Sequence, residues 1–402
     1  MTRPSYALWR LKINKISSIL AINKYYCRNT IFMITWVEIN KKAINYNIKL
    51  FRTLIGPKVA LMPVLKSNAY GHGLLLIAKI CEKNKAVDCL CVFSLAEALE
   101  LRHHRILKPI LVLGFYETDE KKLIEAINFG IRFPLYTVEQ ARRLNRAGEK
   151  ARKKALVHLK IDIGTSRIGV LPHELADFIK KIKQLKFLEC EGIWGHFASS
   201  EDDPIRTNQQ NQVFEKAIGL AARNGLKPKL IHAACSATTI LYKKIHYTAV
   251  RMGLALYGLN PSPATKRKLQ FEPVLSWYTK IIQLKSIPKD SKISYGGTFV
   301  TKRPSTIAII PVGYWDGYDR GLSNNSSVIV RGKRCLVRGR VCMNLCVVDV
   351  TKVAGVKVGD TVSLIGKHGK ITVTVDELAR RAQTINYEIV ARVNPLLPRI
   401  VV

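Results

Sequence analysis

From residue 36 to about residue 260, this 402-residue chain alternates short apolar, β-rich runs with helical patterns, and that alternation most restricts its fold. The runs are Val59–Leu65, Cys89–Phe93, Ile110–Leu113, Phe133–Tyr136, Leu156–Ile161, Gly192–His196 and Leu230–Ala233. Several are continuously apolar, as strands buried on both faces of a parallel sheet must be. Two of the intervening helical segments open with capping-box spacing, Ser94-x-x-Glu97 and Thr137-x-x-Gln140. Strand–helix units repeated over this length predict an α/β protein with an N-terminal (β/α)8 barrel of the TIM type. An open doubly wound sheet is the competitor. No G-x-G-x-x-G follows the first strand, which disfavours its dinucleotide-binding version.

After residue 270 the pattern changes. Strand-like runs at Thr306–Pro311, Ser327–Val330 and Val347–Val350 are separated by Gly, Asn and Lys turns, with one helix near Val375–Thr384. The expected division is a barrel over 34–270 and a mostly-β domain over 271–402, with the boundary around Asn260-Pro261-Ser262-Pro263. Residues 1–33 form a basic leader without an acid. They lack the hydrophobic stretch of a secretory signal. A transit peptide, a surface-lying helix and a translation start at Met33 are the three readings, and the last is favoured.

The formal net charge of +36, from 65 Lys and Arg against 29 Asp and Glu, raises a nucleic-acid reading. The basic residues are spread along the chain without interleaved aromatics, so a solvated Lys-rich surface is the better account. No apolar stretch is long enough for a membrane span. Nine cysteines, singly or as Cys89-x-Cys91 and Cys342-x-x-x-Cys346, match neither a zinc pattern nor a disulfide framework. Free thiols in a reducing cytoplasm are expected, and no metal.

The sharpest local signal is Val64-Leu65-Lys66-Ser67-Asn68-Ala69-Tyr70-Gly71-His72-Gly73. It sets a lysine at the C-terminal end of an apolar strand, before a glycine-rich turn and a helix. In a parallel barrel that end carries the active site. Desolvation there disfavours the ammonium and makes the amine a nucleophile, whose prime partner is pyridoxal phosphate through a Schiff base. A lone strand-end lysine more often simply reaches solvent.

This segment resembles the cofactor-lysine signature of the alanine racemase family. The resemblance continues through His158-Leu159-Lys160-Ile161-Asp162, Arg167-Ile168-Gly169, Gly195-His196-Phe197-Ala198, Ser236-Ala237, Val250-Arg251-Met252-Gly253 and Leu256-Tyr257-Gly258-Leu259. It resumes at Ser294-Tyr295-Gly296, Gly313 to Tyr318, Gly339-Arg340-Val341-Cys342-Met343 and Ile385-Asn386-Tyr387-Glu388, so it spans roughly residues 34 to 398. It implies a head-to-tail homodimer of barrel-plus-β-domain subunits, each active site shared between one barrel and the partner's β domain. The implied activity is interconversion of L- and D-alanine with pyridoxal 5'-phosphate, supplying D-alanine for peptidoglycan.

The resemblance also implies roles. Lys66 would hold the cofactor and act as one base, and Tyr295 of the other subunit as the second, assisted by His196 and Arg251. Arg251 would donate to the pyridine nitrogen, making a weaker electron sink than a pyridinium. Tyr70, Ser236, Tyr387 and the backbone N–H groups around Gly253 and Leu254 would bind phosphate. Arg167 would touch the cofactor phenolate and the substrate carboxylate, and the Met343 N–H the same carboxylate. Lys160 stands where many members carry a carbamate, and Tyr314, Arg320 and Arg340 resemble a narrow polar entrance. Singly, most of these residues read as core tyrosines, a satisfied histidine or surface arginines.

Two positions depart from the family pattern: Cys235 replaces an asparagine before the phosphate-binding serine, and Asn344 replaces an aspartate. Rival readings are a broad-specificity racemase or a decarboxylase of the same fold, a non-catalytic pyridoxal-phosphate carrier, and a nucleic-acid-binding protein.

Overall fold

The computed structural model describes residues 33–117 and 119–402, so the basic leader other than Met33 lies outside the described residues. The chain packs as two compact units. One contains Asn40–Leu275, Asn386–Arg392 and Val402; the other contains the described residues up to Ile39, Ser276–Ile385 and Val393–Val401.

In chain order the strands begin with β1 (Thr35–Ile39), which belongs to the second unit. The first unit carries β2 (Ala60–Pro63), β3 (Leu90–Val92), β4 (Ile110–Val112), β5 (Arg132–Leu135), β6 (Ala155–Lys160), β7 (Leu188–Trp194), β8 (Leu230–His232) and β9 (Ala249–Met252). β3 to β8 pair in sequence order, all parallel. β9 pairs with β2 in parallel, Ala60 opposite Ala249. Hydrogen bonds close the remaining seams. Arg251 N–H donates to Ala234 O between β8 and β9, and Leu65 N–H donates to Cys91 O between β2 and β3. The eight strands therefore close on themselves as the barrel expected from the alternation. Leu90, Cys91, Val92, Ile110, Leu111 and Val112 are buried, the mark of strands covered on both faces.

Helices between the strands start where side chains cap them. Ser94 and Thr137 form full capping boxes with Glu97 and Gln140, and Asp203 caps the 20-residue helix Pro204–Arg223. β7 begins four residues before the expected Gly192, because Glu189 and Glu191 mask its start as a strand. β9 was not among the expected strands, because Arg251 interrupts its apolar run.

The second unit is mostly β. Its seven-stranded sheet runs Lys333–Leu336, Ser327–Val330, Thr361–His368, Leu275–Lys280, β1 and Arg399–Val401, with Ile371–Val373 paired to Thr361–His368. A three-stranded sheet of Gln283–Ile287, Ser305–Ile310 and Cys346–Asp349 and a two-stranded ribbon complete it. The domain expectation needs a correction at both ends. β1 was assigned to the barrel but pairs with the C-terminal strand, Val37 opposite Arg399. Asn386–Arg392 was assigned to the β domain but packs with the barrel unit. Both are long-range pairings that no local pattern displays. No described helix is long and apolar enough to cross a membrane.

Candidate active site

Lys66 follows β2 at the C-terminal end of the barrel, and the chain then makes an unusual turn. Ser67, Asn68, Ala69 and Tyr70 all have positive φ, between 52° and 56°. This is one turn of left-handed helix built without glycine, a conformation that costs about 1–2 kcal/mol per residue. Hydrogen bonds hold it from every side. Ser67 N–H donates to Glu97 Oε1 (2.7 Å), and Leu74 N–H donates to Asn68 Oδ1 (2.8 Å). Ala69 N–H donates to Leu65 O (2.8 Å) and Gly73 N–H to Asn68 O (2.9 Å). His72 Nδ1 lies 2.8 Å from Tyr70 O, so this nitrogen carries the proton. Glu97 does double duty, because its Oε2 accepts the N–H groups of Phe93 and Ser94 at its own helix start. The sequence marked it only as a cap.

Burial and the nearby Arg167 lower the Lys66 pKa, against an opposing pull from Glu97, and Arg251 lowers it further. Its Nζ stands 5.8 Å from the Tyr70 ring centre. A lysine amine made easier to deprotonate is a competent nucleophile and base.

Arg251, on β9, is buried and enclosed. Its Nη1 donates to His232 Nδ1 and to His232 O (3.2 Å), and its Nη2 donates to Gly195 O and Ala233 O (2.9 Å each). These four contacts use the four Nη hydrogens, which leaves Nε–H as the donor still to be placed. His196 is more distant, its Nδ1 3.4 Å from Nη2. Burial, then Arg251 and Lys160, push the His196 pKa well below its ordinary value, so the ring is neutral.

A small cradle is built by Ser236, Gly253 and Tyr70. Ser236 Oγ accepts the N–H of Gly253 (2.9 Å) and that of Ala255 (3.4 Å). With both lone pairs occupied, its hydroxyl hydrogen must point elsewhere. A Cβ on Gly253 would lie 3.1 Å from the Tyr70 hydroxyl and 3.8 Å from Ser236 Oγ. Tyr387 joins the group, its ring 6.2 Å from that of Tyr70, and Leu254 follows Gly253 in the same turn. Cys235 sits beside the cradle with its Sγ 3.4 Å from Thr238 Oγ1 and 3.7 Å from Ser200 Oγ.

Arg167 is held by a loop that Asp162 organises. The Asp162 carboxylate accepts the N–H groups of Gly164, Thr165, Ser166 and Arg167 at 2.9–3.1 Å. Burial would raise the Asp162 pKa, but these four donors pull it below its ordinary value. Lys160, two residues upstream, is 1% exposed, and its Nζ has no hydrogen-bond partner among the described residues. Burial and the charges of Arg251 and Arg167 drive its pKa well down, and Nζ lies 4.3 Å over the Trp194 ring.

Ten of the expected residues therefore belong to the barrel unit: Lys66, Tyr70, Lys160, Arg167, His196, Ser236, Arg251, Gly253, Leu254 and Tyr387. Tyr295 and Met343 belong to the β unit. There Tyr295 is 74% exposed, next to Ser294, whose hydroxyl donates to Arg340 O (2.8 Å). Met343 is also exposed, and its carbonyl accepts Trp315 N–H (3.0 Å). Asn344, Arg320 and Arg340 are exposed on the same unit. Glu97, Asp162, His158, His232 and Glu191 were not expected as site residues, although His158 and Lys160 share one face of β6 at strand spacing.

Comparison with known proteins agrees over both units. The family profile described as "Alanine racemase, N-terminal domain" matches residues 39–261, and "Alanine racemase, C-terminal domain" matches 274–401. Alanine racemase of Methanococcus maripaludis is 40% identical over 91% of this chain and 98% of its own. That of Methylacidiphilum infernorum is 41% identical over 91% and 92%. Among solved structures, alanine racemase of Clostridium difficile 630 superposes with a TM-score of 0.87 at 32% identity, covering 93% of this chain and 97% of its own. The Bacillus anthracis alanine racemase, solved with bound L-Ala-P, gives 0.86 at 33%, covering 92% and 96%. Both halves of the fold and nearly all of the sequence are accounted for by a single group, and the chain belongs to the alanine racemase family.

Proposed function

We propose that this chain interconverts L- and D-alanine using pyridoxal 5'-phosphate and two bases, Lys66 on one face of the substrate carbon and Tyr295 of a second subunit on the other. The observation that carries the reading is Arg251, a buried guanidinium with its Nη hydrogens committed to the barrel and Nε–H left to donate. The neighbouring groups fit the cofactor. The depressed Lys66 amine suits an aldehyde, and the cradle that a Gly253 Cβ would fill suits a phosphate held by Tyr70, Ser236, Tyr387 and the N–H groups near Gly253 and Leu254.

When bound, the cofactor supplies an electron sink that acidifies the Cα–H of the amino acid. The protein's residues do the rest. Lys66 and Tyr295 remove and return the proton at Cα from opposite faces, which inversion requires. His196 and Arg251 lower the cost of the Tyr295 phenolate. Arg167 and the Met343 N–H orient the substrate carboxylate. Lys160, its ammonium disfavoured by burial and its Nζ without a hydrogen-bond partner among the described residues, suits a carbamate: its nitrogen bonds to carbon dioxide, a proton leaves to water, and the charge of Arg167 favours the new anion. A homodimer is supported by the exposure of Tyr295, Tyr314, Trp315 and Met343, apolar surface that a second copy would cover. The free thiols of the described cysteines suit a reducing cytoplasm, where D-alanine would feed peptidoglycan synthesis.

Chiral analysis of product from L- and from D-alanine tests the reading. Wild type should converge on the racemate from either side. Tyr295→Phe should lose on the order of 10²- to 10⁴-fold in rate, the usual worth of a positioned base, and Lys66→Ala should lose both activity and the cofactor's covalent absorbance. A Tyr295→Phe enzyme as fast as wild type would overturn the two-base assignment.

A further inference from the structure

Arg251 is a cation in the barrel interior with no carboxylate in contact among the described residues. An unpaired buried charge costs several kcal/mol, so its compensation must come from elsewhere. We propose that His232, His158 and the Glu191–Arg132 pair form a tautomer-locked relay that carries a carboxylate's counter-charge to Arg251, and so sets how strongly that guanidinium donates. This rests on the assignment of Arg251 to the cofactor ring.

The direction of every bond follows from the two ends. A guanidinium has only donors, so His232 Nδ1 accepts from Arg251 and carries no proton. His232 Nε2 then carries the proton and donates to His158 Nδ1 (2.9 Å). His158 Nε2, protonated in turn, donates to Glu191 Oε2 (3.1 Å). Glu191 can only accept. Burial alone would raise its pKa, but His158 and Arg132 hold it down to about 2. Arg132 grips both carboxylate oxygens, Nε to Oε2 at 2.9 Å and Nη2 to Oε1 at 3.0 Å. Both imidazoles stay neutral, because burial depresses their pKa values.

The five residues come from five consecutive strands, β5 to β9, and start from Arg132, the first residue of β5. Packing fixes their planes. Trp194 stacks on His232 with centroids 5.7 Å apart and 10° between the rings, and Arg251 lies 4.9 Å over the same indole. Gly192 leaves room for His158: a Cβ there would meet Nδ1 at 2.5 Å. Hydrogen bonds in such a chain polarise one another in a low-dielectric interior. With the carboxylate in place, Arg251 is a restrained donor. Without it, Arg251 donates more strongly, the ring withdraws more electron density, and protonation away from Cα becomes competitive.

Two measurements test this. In apoprotein with ¹⁵N-labelled histidine, two-bond ¹H–¹⁵N spectra should show both His158 and His232 as neutral Nε2–H tautomers across roughly pH 6–9. An Nδ1–H tautomer or a titrating imidazolium at either position overturns the relay. In holoenzyme, Glu191→Gln keeps an acceptor for His158 but removes the charge. The ratio of racemisation to transamination per turnover should fall roughly tenfold, with KM for alanine little changed, whereas Glu189→Gln, exposed on the same strand, should leave the ratio alone. An unchanged ratio in folded Glu191→Gln overturns the proposal. Should that variant not fold, the tautomer measurement on wild type still decides. Wild type that racemises no alanine would refute the functional reading, and the apoprotein spectra would judge the relay's wiring independently.

Discussion

Gly253→Ala tests the cradle directly. The added Cβ would stand 3.1 Å from the Tyr70 hydroxyl and 3.8 Å from Ser236 Oγ. The first distance is tighter than ordinary carbon–oxygen contact, so the hydroxyl must retreat by a few tenths of an ångström. It has little freedom to do so, because the Tyr70 ring packs against Tyr257 (centroids 5.0 Å apart) and Tyr387 (6.2 Å). Losing one aligned hydrogen bond to a phosphate dianion costs about 1.5–3 kcal/mol, which weakens cofactor binding roughly 10- to 150-fold. Titrating apoprotein with pyridoxal phosphate and following absorbance reads this effect, and a denaturant melt of apoprotein checks that the fold is intact. Gly219→Ala is the control, because it lies in the helix Pro204–Arg223, where its Cβ meets only the Arg223 tip at 3.4 Å. Cofactor affinity equal to wild type in Gly253→Ala would remove the cradle from the phosphate site.

Gly71→Ala should be more damaging to folding, since its Cβ would fall 1.9 Å from Val390 O at a φ of +79°. A loss above about 2 kcal/mol is expected, and an unchanged denaturation midpoint would contradict the close seating of the Tyr387 helix. Asp162→Asn replaces one acceptor oxygen by a donor beneath four N–H groups, and should raise KM for alanine more than it lowers kcat, because Arg167 loses its register; a kcat effect alone would argue against that role. Glu191, lowered from 4.5 to about 2, makes stability acid-sensitive. Because its folded pKa is the depressed one, its contribution of about 3 kcal/mol is complete above the unfolded value and vanishes as pH falls toward 2. Denaturant melts at neutral pH and in that acid window should differ accordingly, and Glu191→Gln should flatten the difference.

What the sequence displays and what it hides follow from the range of the interactions. Apolar runs of three to seven residues mark most barrel strands, since burial on both faces leaves a local trace, and the capping boxes at Ser94 and Thr137 are complete within four residues. Lys66 is legible for the same reason, a charge ending an apolar run. β1 and Asn386–Arg392 are not, because their partners lie hundreds of residues away. The barrel's inner polar set is hidden differently. His158, Glu191, His232 and Arg251 each interrupt an apolar strand and look singly like imperfections. Only the closed barrel brings them within hydrogen-bond distance.

The left-handed turn after Lys66 joins these observations. Four residues at about 1–2 kcal/mol each amount to roughly 4–8 kcal/mol, comparable with the whole net stability of a typical domain. Such a turn survives only if its surroundings over-determine it, and they do: Glu97 takes the first N–H, Asn68 caps the following helix, and Gly71 lets the Val390 carbonyl close over the end. A right-handed helix started at Lys66 would be locally cheaper, but it would redirect Ser67 N–H away from Glu97 and turn the Tyr70 ring out of its contacts with Tyr257 and Tyr387. The strain therefore fixes two things at once, the origin of the Lys66 side chain and the position of the Tyr70 hydroxyl at the Gly253 cradle. Lys66 and the Tyr70 hydroxyl on one short strained segment cannot drift independently, which is the condition that the proposed cofactor, bound at both, would require.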